Sequence, residues 1–152
     1  MIDQKLKDLH IELPPSAAPV ANYVPFVISG NLVFISGQLP MKDGKLQSLG
    51  KVGAEISIEQ AQAAAKLCGI NLLSHLKAAC GGNLDRVKRC VRLGVFVASA
   101  DGFTDQPKVA NGVSDLMVEI FGDEGKHARA AVGTNALPFG VSVEVEGIFE
   151  IE

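Results

Sequence analysis

The last twelve residues, Val141-Ser-Val-Glu-Val-Glu-Gly-Ile-Phe-Glu-Ile-Glu152, decide the fold because two kinds of side chain alternate along them. Odd-numbered positions carry apolar side chains, at Val143, Val145, Phe149 and Ile151. Even-numbered positions carry carboxylates, at Glu144, Glu146, Glu150 and Glu152. A period of two predicts a strand with one covered face and one open face. The rest of the chain must supply the cover.

Two amphipathic helices are predicted upstream. Ser57-Ile58-Glu59-Gln60 has the form of a capping box, and Gly81-Gly82 would end that helix. Its apolar residues follow helical spacing, at Ala61, Ala65, Cys68, Leu72, Leu76 and Ala79. The second helix is predicted to begin near Thr104 or Asp105 and to end at Gly122. Its apolar face comprises Val109, Val113, Leu116, Met117 and Ile120.

The remaining strands are predicted from β-branched and aromatic runs. Tyr23 to Ile28 and Leu32 to Ser36 form a hairpin joined by Ser29-Gly30-Asn31, in which Gly30 and Asn31 can take positive φ. A long strand runs from Val87 to about Ser99, with one apolar parity at Val87, Val91, Leu93, Val95 and Val97. Arg129–Thr134 and Val141–Ile151 complete the set, and 41–50 is predicted to be a surface loop that could carry a short strand.

The order ββαβαββ predicts an α+β two-layer sandwich, a mixed sheet of about five or six strands with two helices on one face. The other face must then meet solvent, a ligand or another subunit. At 152 residues we expect a single domain. Residues 1–22, with their prolines, would form an N-terminal arm, and residues 23–152 the core.

Composition narrows the class of protein. The formal charge is −3, with 14 basic and 17 acidic residues and no basic stripe, so nucleic acid is a poor candidate partner. Since 47% of residues are hydrophobic and only 20% charged, we expect some apolar surface to be buried between subunits. No run has signal-peptide or membrane-span character, which predicts a soluble cytoplasmic protein without a membrane partner. Neither the dispersed histidines nor Cys68, Cys80 and Cys90 show metal-ligand spacing, and we interpret the cysteines as reduced core residues.

The stretch Arg129-Ala-Ala-Val-Gly-Thr-Asn-Ala-Leu-Pro138 places one guanidinium among small apolar residues. Such a group usually has a partner. Its planar fork suits a small carboxylate ligand. The alternative is an internal ion pair with Glu144 or Glu146 on a neighbouring strand.

The arginine lies eight positions before Leu137-Pro138 and fifteen before Glu144. Together with Tyr23 and Ile35-Ser36-Gly37-Gln38, this pattern resembles the RidA/YjgF family over roughly residues 23–152. The resemblance implies a chorismate-mutase-like fold, a homotrimer with ligand clefts between subunits, and no cofactor. It also implies hydrolysis of reactive enamines and imines, such as 2-aminoacrylate, to 2-keto acids and ammonia.

Site residues follow from the resemblance. Arg129 would bind the substrate carboxylate, and Glu144 would place water and relay a proton. The alternative for Glu144 is a solvated residue on the polar side of an exposed strand. Tyr23 would line the rim of the cleft, or be an ordinary amphipathic residue at a strand start. Ser36 and Gly37 would line the pocket, or form a plain turn.

Two positions depart from the family pattern. Ala131 stands where imine-hydrolysing members often carry cysteine, and Ser114 where they often carry asparagine; both are expected to contact substrate.

From the resemblance, the leading functional hypothesis is an imine deaminase. Its rivals are a non-catalytic sensor of small carboxylates, a ribonuclease (a label, endoribonuclease L-PSP, given to part of the family), and a chorismate mutase suggested by fold alone.

Overall fold

The computed structural model describes residues 1–16 and 22–152. Three α-helices and seven strands occur in these ranges. In chain order they are α1 (Ile2–Asp8), β1 (Phe26–Ser29), β2 (Leu32–Gln38), β3 (Met41–Lys42), β4 (Lys45–Leu46), α2 (Ile58–Ala79), β5 (Val87–Ala98), α3 (Gln106–Phe121), β6 (Ala128–Thr134) and β7 (Val143–Ile151).

Five strands form one mixed sheet in the order β1-β2-β7-β5-β6. Strands β5 and β6 are parallel, and the other neighbours are antiparallel. Helix α2 packs on β7 and β2, and α3 packs on α2, β5 and β6. The predicted α+β class with a mixed sheet is confirmed. Beyond the predicted order the structure adds the short helix α1 and the separate hairpin β3–β4, which lies inside the predicted 41–50 loop.

Both long helices begin and end where the sequence predicts. Ser57 caps α2, accepting from the Gln60 amide at 3.1 Å while the Gln60 side chain accepts from the Ser57 amide at 2.8 Å. Asp105 is the N-cap residue of α3, and Gly122 ends it with φ 63°. All five apolar residues predicted for the second helix are buried.

The parity predicted for β5 holds over only part of its length. Leu93, Val95 and Val97 are buried, but register shifts interrupt the strand between Val87 and Arg89 and again between Cys90 and Arg92. Each bulge moves side chains to the other face. Cys90 is consequently the buried residue of the N-terminal half, where Val87 and Val91 were expected to be.

The first hairpin differs from prediction in its turn. Ser29 pairs with Leu32, leaving Gly30-Asn31 as a two-residue loop. Gly30 has φ 62°, whereas Asn31 is not among the residues with positive φ. One glycine at the first central position is the pattern of a type II′ turn, so only Gly30 needs left-handed backbone.

Strand β7 separates the two faces of the sheet. Val143, Val145, Phe149 and Ile151 are buried under the helices, as predicted. The opposite side, which we call the open face, carries no helix, and the pairings place several apolar side chains there beside the glutamates. Among them are Val27, Phe34, Phe96, Val132 and Ile148. Val27, Phe34 and Val132 are 53%, 40% and 46% exposed, an apolar content typical of surfaces that meet another protein.

The N-terminal segment lies against the helical layer. Leu6 of α1 belongs to the buried core, and the Ser74 hydroxyl of α2 donates to the Pro14 carbonyl. Ser16 Oγ and His75 Nδ1 are 2.7 Å apart. Residues 17–21 of the predicted arm lie outside the described residues, and the division into an arm (1–22) and a core (23–152) of one domain stays a prediction.

All three cysteines are free and buried. Burial raises the pKa of the Cys90 thiol to about 12. Their environment is that of apolar core residues, as interpreted from the sequence. Among the described helices, none is both long enough and apolar enough to cross a membrane.

Candidate functional site

Arg129 lies on the edge strand β6, opposite Leu93 of β5. Because paired residues of parallel strands point to the same face, its side chain is on the helical side of the sheet, where it reaches α3. Its Nη1 donates to Asn111 Oδ1 at 2.9 Å and to Ser114 Oγ at 3.1 Å. These two bonds use both hydrogens of Nη1.

The rest of the guanidinium is available. Within residues 1–16 and 22–152, Nη2 and Nε have no hydrogen-bond acceptor and Arg129 has no ion-pair partner. Glu146 instead pairs with Arg92, at 3.2 Å, and Glu144 lies on the open face. The internal ion pair weighed as an alternative is therefore absent from this part of the chain, and the Nε–Nη2 edge can receive a carboxylate through two parallel bonds.

Ser114 joins Arg129 to a histidine. Ser114 Oγ is 2.8 Å from His127 Nε2, and His127 Nδ1 is 2.6 Å from the Gly125 carbonyl oxygen. Gly125 itself is buried against α3, since a Cβ there would overlap the Met117 carbonyl. We call Arg129, Asn111, Ser114 and His127 the arginine corner.

Ala131 lies two residues after Arg129 on the same face of β6, opposite Val95. Its side chain is half-buried and packs against the hydrophobic core. A methyl group has no nucleophilic or hydrogen-bonding atom, so only its bulk and the neighbouring backbone could act on a ligand.

Glu144 lies on β7 opposite Phe96 of β5 and is half-buried on the open face. Burial raises the pKa of its carboxyl group, and the negative charge of Glu146 raises it further. Glu144 therefore keeps its proton to a higher pH than an ordinary surface glutamate does. A carboxyl group that holds its proton more tightly than usual can serve as a general acid as well as a general base.

Gly37 makes room for that carboxyl group. It lies in an irregularity of β2 between Ile35 and Gln38, and a Cβ at Gly37 would overlap Glu144 Oε2. The backbone of β2 thus touches the functional end of the glutamate. The φ of Gly37 is not positive, so the requirement for glycine here is one of space and not of backbone conformation.

Ser36 adjoins the same region, and Tyr23 precedes Val24, the residue to which the Ser36 hydroxyl is bonded. The Ser36 hydroxyl donates to the Val24 carbonyl at 2.9 Å, and the Ser36 amide donates to the Pro25 carbonyl at 2.9 Å. These bonds hold the segment after Tyr23 against β2. The Tyr23 side chain is 53% exposed. We call Tyr23, Ser36, Gly37 and Glu144 the glutamate face.

The arginine corner and the glutamate face do not meet within one chain. Glu144 is on β7 and Arg129 on β6, with β5 between them, and their side chains point to opposite faces of the sheet. Two strand spacings amount to about 10 Å. A small ligand touching both groups of one chain would have to pass around or through the sheet.

Two surface hollows are formed by the described residues. One of about 240 Å³ lies on the open face beside Ser36 and is lined by Phe34, Glu146 and Ile148. A larger groove of about 580 Å³ lies between α1 and Lys77 of α2, and it contains none of the predicted site residues. Among the described residues, no group of three or more His, Cys, Asp or Glu is placed to hold a metal ion.

Sequence reasoning missed two members of the arginine corner. Asn111 lies three residues before Ser114, and so on the same side of α3. His127 lies two residues before Arg129 and was interpreted as a dispersed histidine. The i,i+3 spacing could have pointed to Asn111, but nothing in the sequence indicates that the His127 ring turns back to α3.

Comparison with known proteins gives the family. Residues 3–148 match the profile of the family described as "YjgF/chorismate_mutase-like, putative endoribonuclease". Protein TCP17 of Trypanosoma cruzi is 49% identical over 96% of this chain and 91% of its own length. A 2-iminobutanoate/2-iminopropanoate deaminase of Dermatophagoides farinae is 28% identical over 93% of this chain and 95% of its own.

A crystal structure from Agrobacterium tumefaciens, of a protein of unknown function, is 48% identical. It superposes with a TM-score of 0.94 over 99% of this chain and 92% of that one. Profile, identity and architecture agree over nearly the whole length. The chain belongs to the YjgF/RidA family.

Proposed function

We propose that this protein hydrolyses small imino acids, the tautomers of enamines such as 2-aminoacrylate, to 2-keto acids and ammonia. The observation that carries the proposal is Arg129, whose Nε–Nη2 edge has no partner in the described chain while Nη1 is held by Asn111 and Ser114. Support also comes from the relative named as a 2-iminobutanoate/2-iminopropanoate deaminase. No cofactor is needed for this chemistry.

Arg129 acts on the carboxylate of the substrate. Two parallel hydrogen bonds to a planar fork fix both the position and the plane of an imino acid. A substrate held in this way presents its C=N carbon in one orientation, which turns attack by water into a reaction between groups already placed. A lysine would supply the charge without the plane.

Glu144 transfers protons during the reaction. Water adds to the imine carbon while its proton passes through the Glu144 carboxyl group to the nitrogen, giving a tetrahedral carbinolamine. Glu144 then gives a proton to the amino nitrogen, the C–N bond breaks with its electron pair leaving on the nitrogen as ammonia, and the hydroxyl proton returns to Glu144 as the C=O bond forms. The raised pKa of Glu144 favours its protonated form relative to an ordinary glutamate, as a group that must donate a proton requires.

The complete site lies between two subunits of a homotrimer. The arginine corner and the glutamate face point away from each other in one chain, so a bound ligand would lie between Arg129 and Ala131 of one subunit, with Ser114 behind the arginine, and Glu144, Ser36, Gly37 and Tyr23 of its neighbour. A ring built from one repeated contact forms such a cleft at each interface. The apolar side chains of the open face would be covered in the same assembly.

The test is to generate 2-aminoacrylate or 2-iminobutanoate with a partner enzyme and follow release of the keto acid. We expect the protein to accelerate release well above the rate in buffer, and the keto acid product to bind at the same cleft. A protein that is stabilised by 2-ketobutyrate but does not accelerate release is the carboxylate sensor considered above. Solution mass decides whether the assembly is a trimer, and a monomer that is fully active contradicts the shared cleft.

A further inference from the structure

We propose that Ser114 and His127 are positioning residues for Arg129, and that they hold one arm of its guanidinium so that the Nε–Nη2 edge faces the ligand. This inference rests on the proposed function for its consequence. The contacts that carry it lie in the arginine corner. Neither residue needs to touch the reacting atoms.

The Gly125 carbonyl, at one end of the network, determines which atom donates in each hydrogen bond. A backbone carbonyl can only accept, so His127 Nδ1 must carry a proton and donate to Gly125. In neutral His127 the other nitrogen, Nε2, is then an acceptor. The Ser114 hydroxyl accepts from Arg129 Nη1 and can give its own single proton to Nε2. Arg129 thus donates to Ser114, Ser114 donates to His127, and His127 donates to the Gly125 carbonyl.

The far end is itself rigidly placed. Gly125 is buried so close to α3 that a Cβ would overlap the Met117 carbonyl, which fixes where the Gly125 carbonyl lies. Ser114 is on the same helix. The His127 ring therefore connects Ser114 on α3 with a carbonyl group of a segment packed closely against α3, and this orientation exists without a ligand.

An exposed arginine on an edge strand would otherwise occupy many rotamers. Holding Nη1 at both hydrogens, through Ser114 and Asn111, removes much of that freedom in advance. A ligand then meets an arginine already pointed at it. The network should accordingly affect carboxylate affinity, seen in KM, more than the rate of the chemical step.

The first experiment is spectroscopic and does not depend on activity. The ¹⁵N chemical shifts of His127 in the full-length protein at neutral pH should show a protonated Nδ1 and an unprotonated Nε2. Ser114→Ala should shift the Nε2 signal and speed the rotation of the Arg129 guanidinium. An Nε2-protonated ring, or Arg129 signals that are the same in Ser114→Ala, would overturn the inference.

The second experiment uses a matched pair of variants. His127→Gln keeps an oxygen acceptor near the Nε2 position, whereas His127→Asn keeps a donor near Nδ1 but does not reach Ser114. Affinity for 2-ketobutyrate should stay within about twofold of wild type in His127→Gln. It should fall by about threefold to tenfold in His127→Asn and Ser114→Ala, as loss of one hydrogen bond implies. Equal affinity in the two His127 variants contradicts the proposal.

Failure of the proposed function can be told apart from failure of this inference. A wild-type protein that neither binds keto acid nor releases it from imine removes the proposed function, while the His127 tautomer and the Arg129 rotation still decide whether the network exists. An active wild type with unchanged KM in His127→Asn removes only the inference.

Discussion

The arginine corner and the glutamate face are built in different ways. The corner gathers hydrogen-bond partners from a helix and a connecting segment around one cation, and its key side chain is exposed. The glutamate face places a half-buried carboxyl group against the backbone of the neighbouring strand. The first arrangement suits recognition of charge, and the second suits control of a proton. Five experiments test whether the two regions have these separate roles.

The largest effect is expected from Glu144→Gln. The amide has nearly the shape of the carboxyl group but cannot relay a proton, so kcat should fall by about 100-fold or more. Binding of 2-ketobutyrate should change little, because Arg129 remains. Glu150→Gln is the matched control, since it alters the same strand and face at a residue bonded to Asn31. Equal losses in the two variants would assign the effect to net charge alone.

Arg129→Ala should cost at least about tenfold in kcat/KM, as loss of a charge-assisted bond worth roughly 1.5–3 kcal/mol implies. Arg129→Lys should recover little, because the lysine has no fork. Keto-acid release at several substrate concentrations measures both. Arg92→Ala, which removes a cation paired with Glu146 on the open face, is the comparison. An Arg129→Ala protein with wild-type kcat/KM would leave the corner without a role.

Gly37→Ala should lower kcat by about threefold to tenfold, because its Cβ would displace the Glu144 carboxyl group from its position. Gly94→Ala, on β5 at the other side of β7, would crowd the Glu146 carboxyl group and Arg92 and serves as the control. Rates, melting temperature and solution mass should be measured together. Should the two alanines reduce kcat alike, crowding of the open face in general is the cause.

Mixing inactive variants tests whether the two regions act across an interface. In a ring assembled at random from equal amounts of Arg129→Ala and Glu144→Gln chains, about one quarter of the clefts receive an intact arginine corner and an intact glutamate face. Activity after joint refolding should therefore recover to about a quarter of wild type. No recovery, in assemblies shown to be mixed, places both groups of each site in one chain.

The smallest effect concerns pH. The charge of Glu146 raises the pKa of Glu144, so Glu146→Gln should lower that pKa, and the freed charge of Arg92 acts in the same direction. The change should be smaller than the part of the shift that burial causes, since burial, the larger cause, remains. Carboxyl ¹³C titration of Glu144 measures it directly, and Glu150→Gln should leave it unchanged. A rise in the Glu144 pKa contradicts the assignment.

Much of the fold follows from local pattern. Ser57 and Gly122 mark helix ends because their capping roles depend only on nearby backbone, and the alternation in β7 predicts its buried face because side chains alternate in any strand. The burial of Cys90 could not be predicted in this way. It depends on two bulges in β5, which are set by pairing with β7, a strand more than fifty residues later.

The candidate site divides along the same line. Arg129 and Glu144 stand out in the sequence because an isolated cation and a row of carboxylates are visible as residue types, and their spacing matches the family. That the two lie on opposite faces is a consequence of sheet order, in which β5 separates β6 from β7. The order of strands in the sheet cannot be read from the spacing of residues along the chain.

The periodicity of the helices and of the last strand, the turn at Gly30, and the residue types able to bind a carboxylate or move a proton can all be read from the amino-acid sequence. Which groups become neighbours depends on the folded chain: Arg129 with Ser114 and Asn111, and Gly37 with Glu144. This difference arises from the distance along the chain over which each interaction acts. Capping and alternation act over a few residues, whereas burial, hydrogen-bond partners and the pKa of Glu144 depend on segments that folding alone brings together.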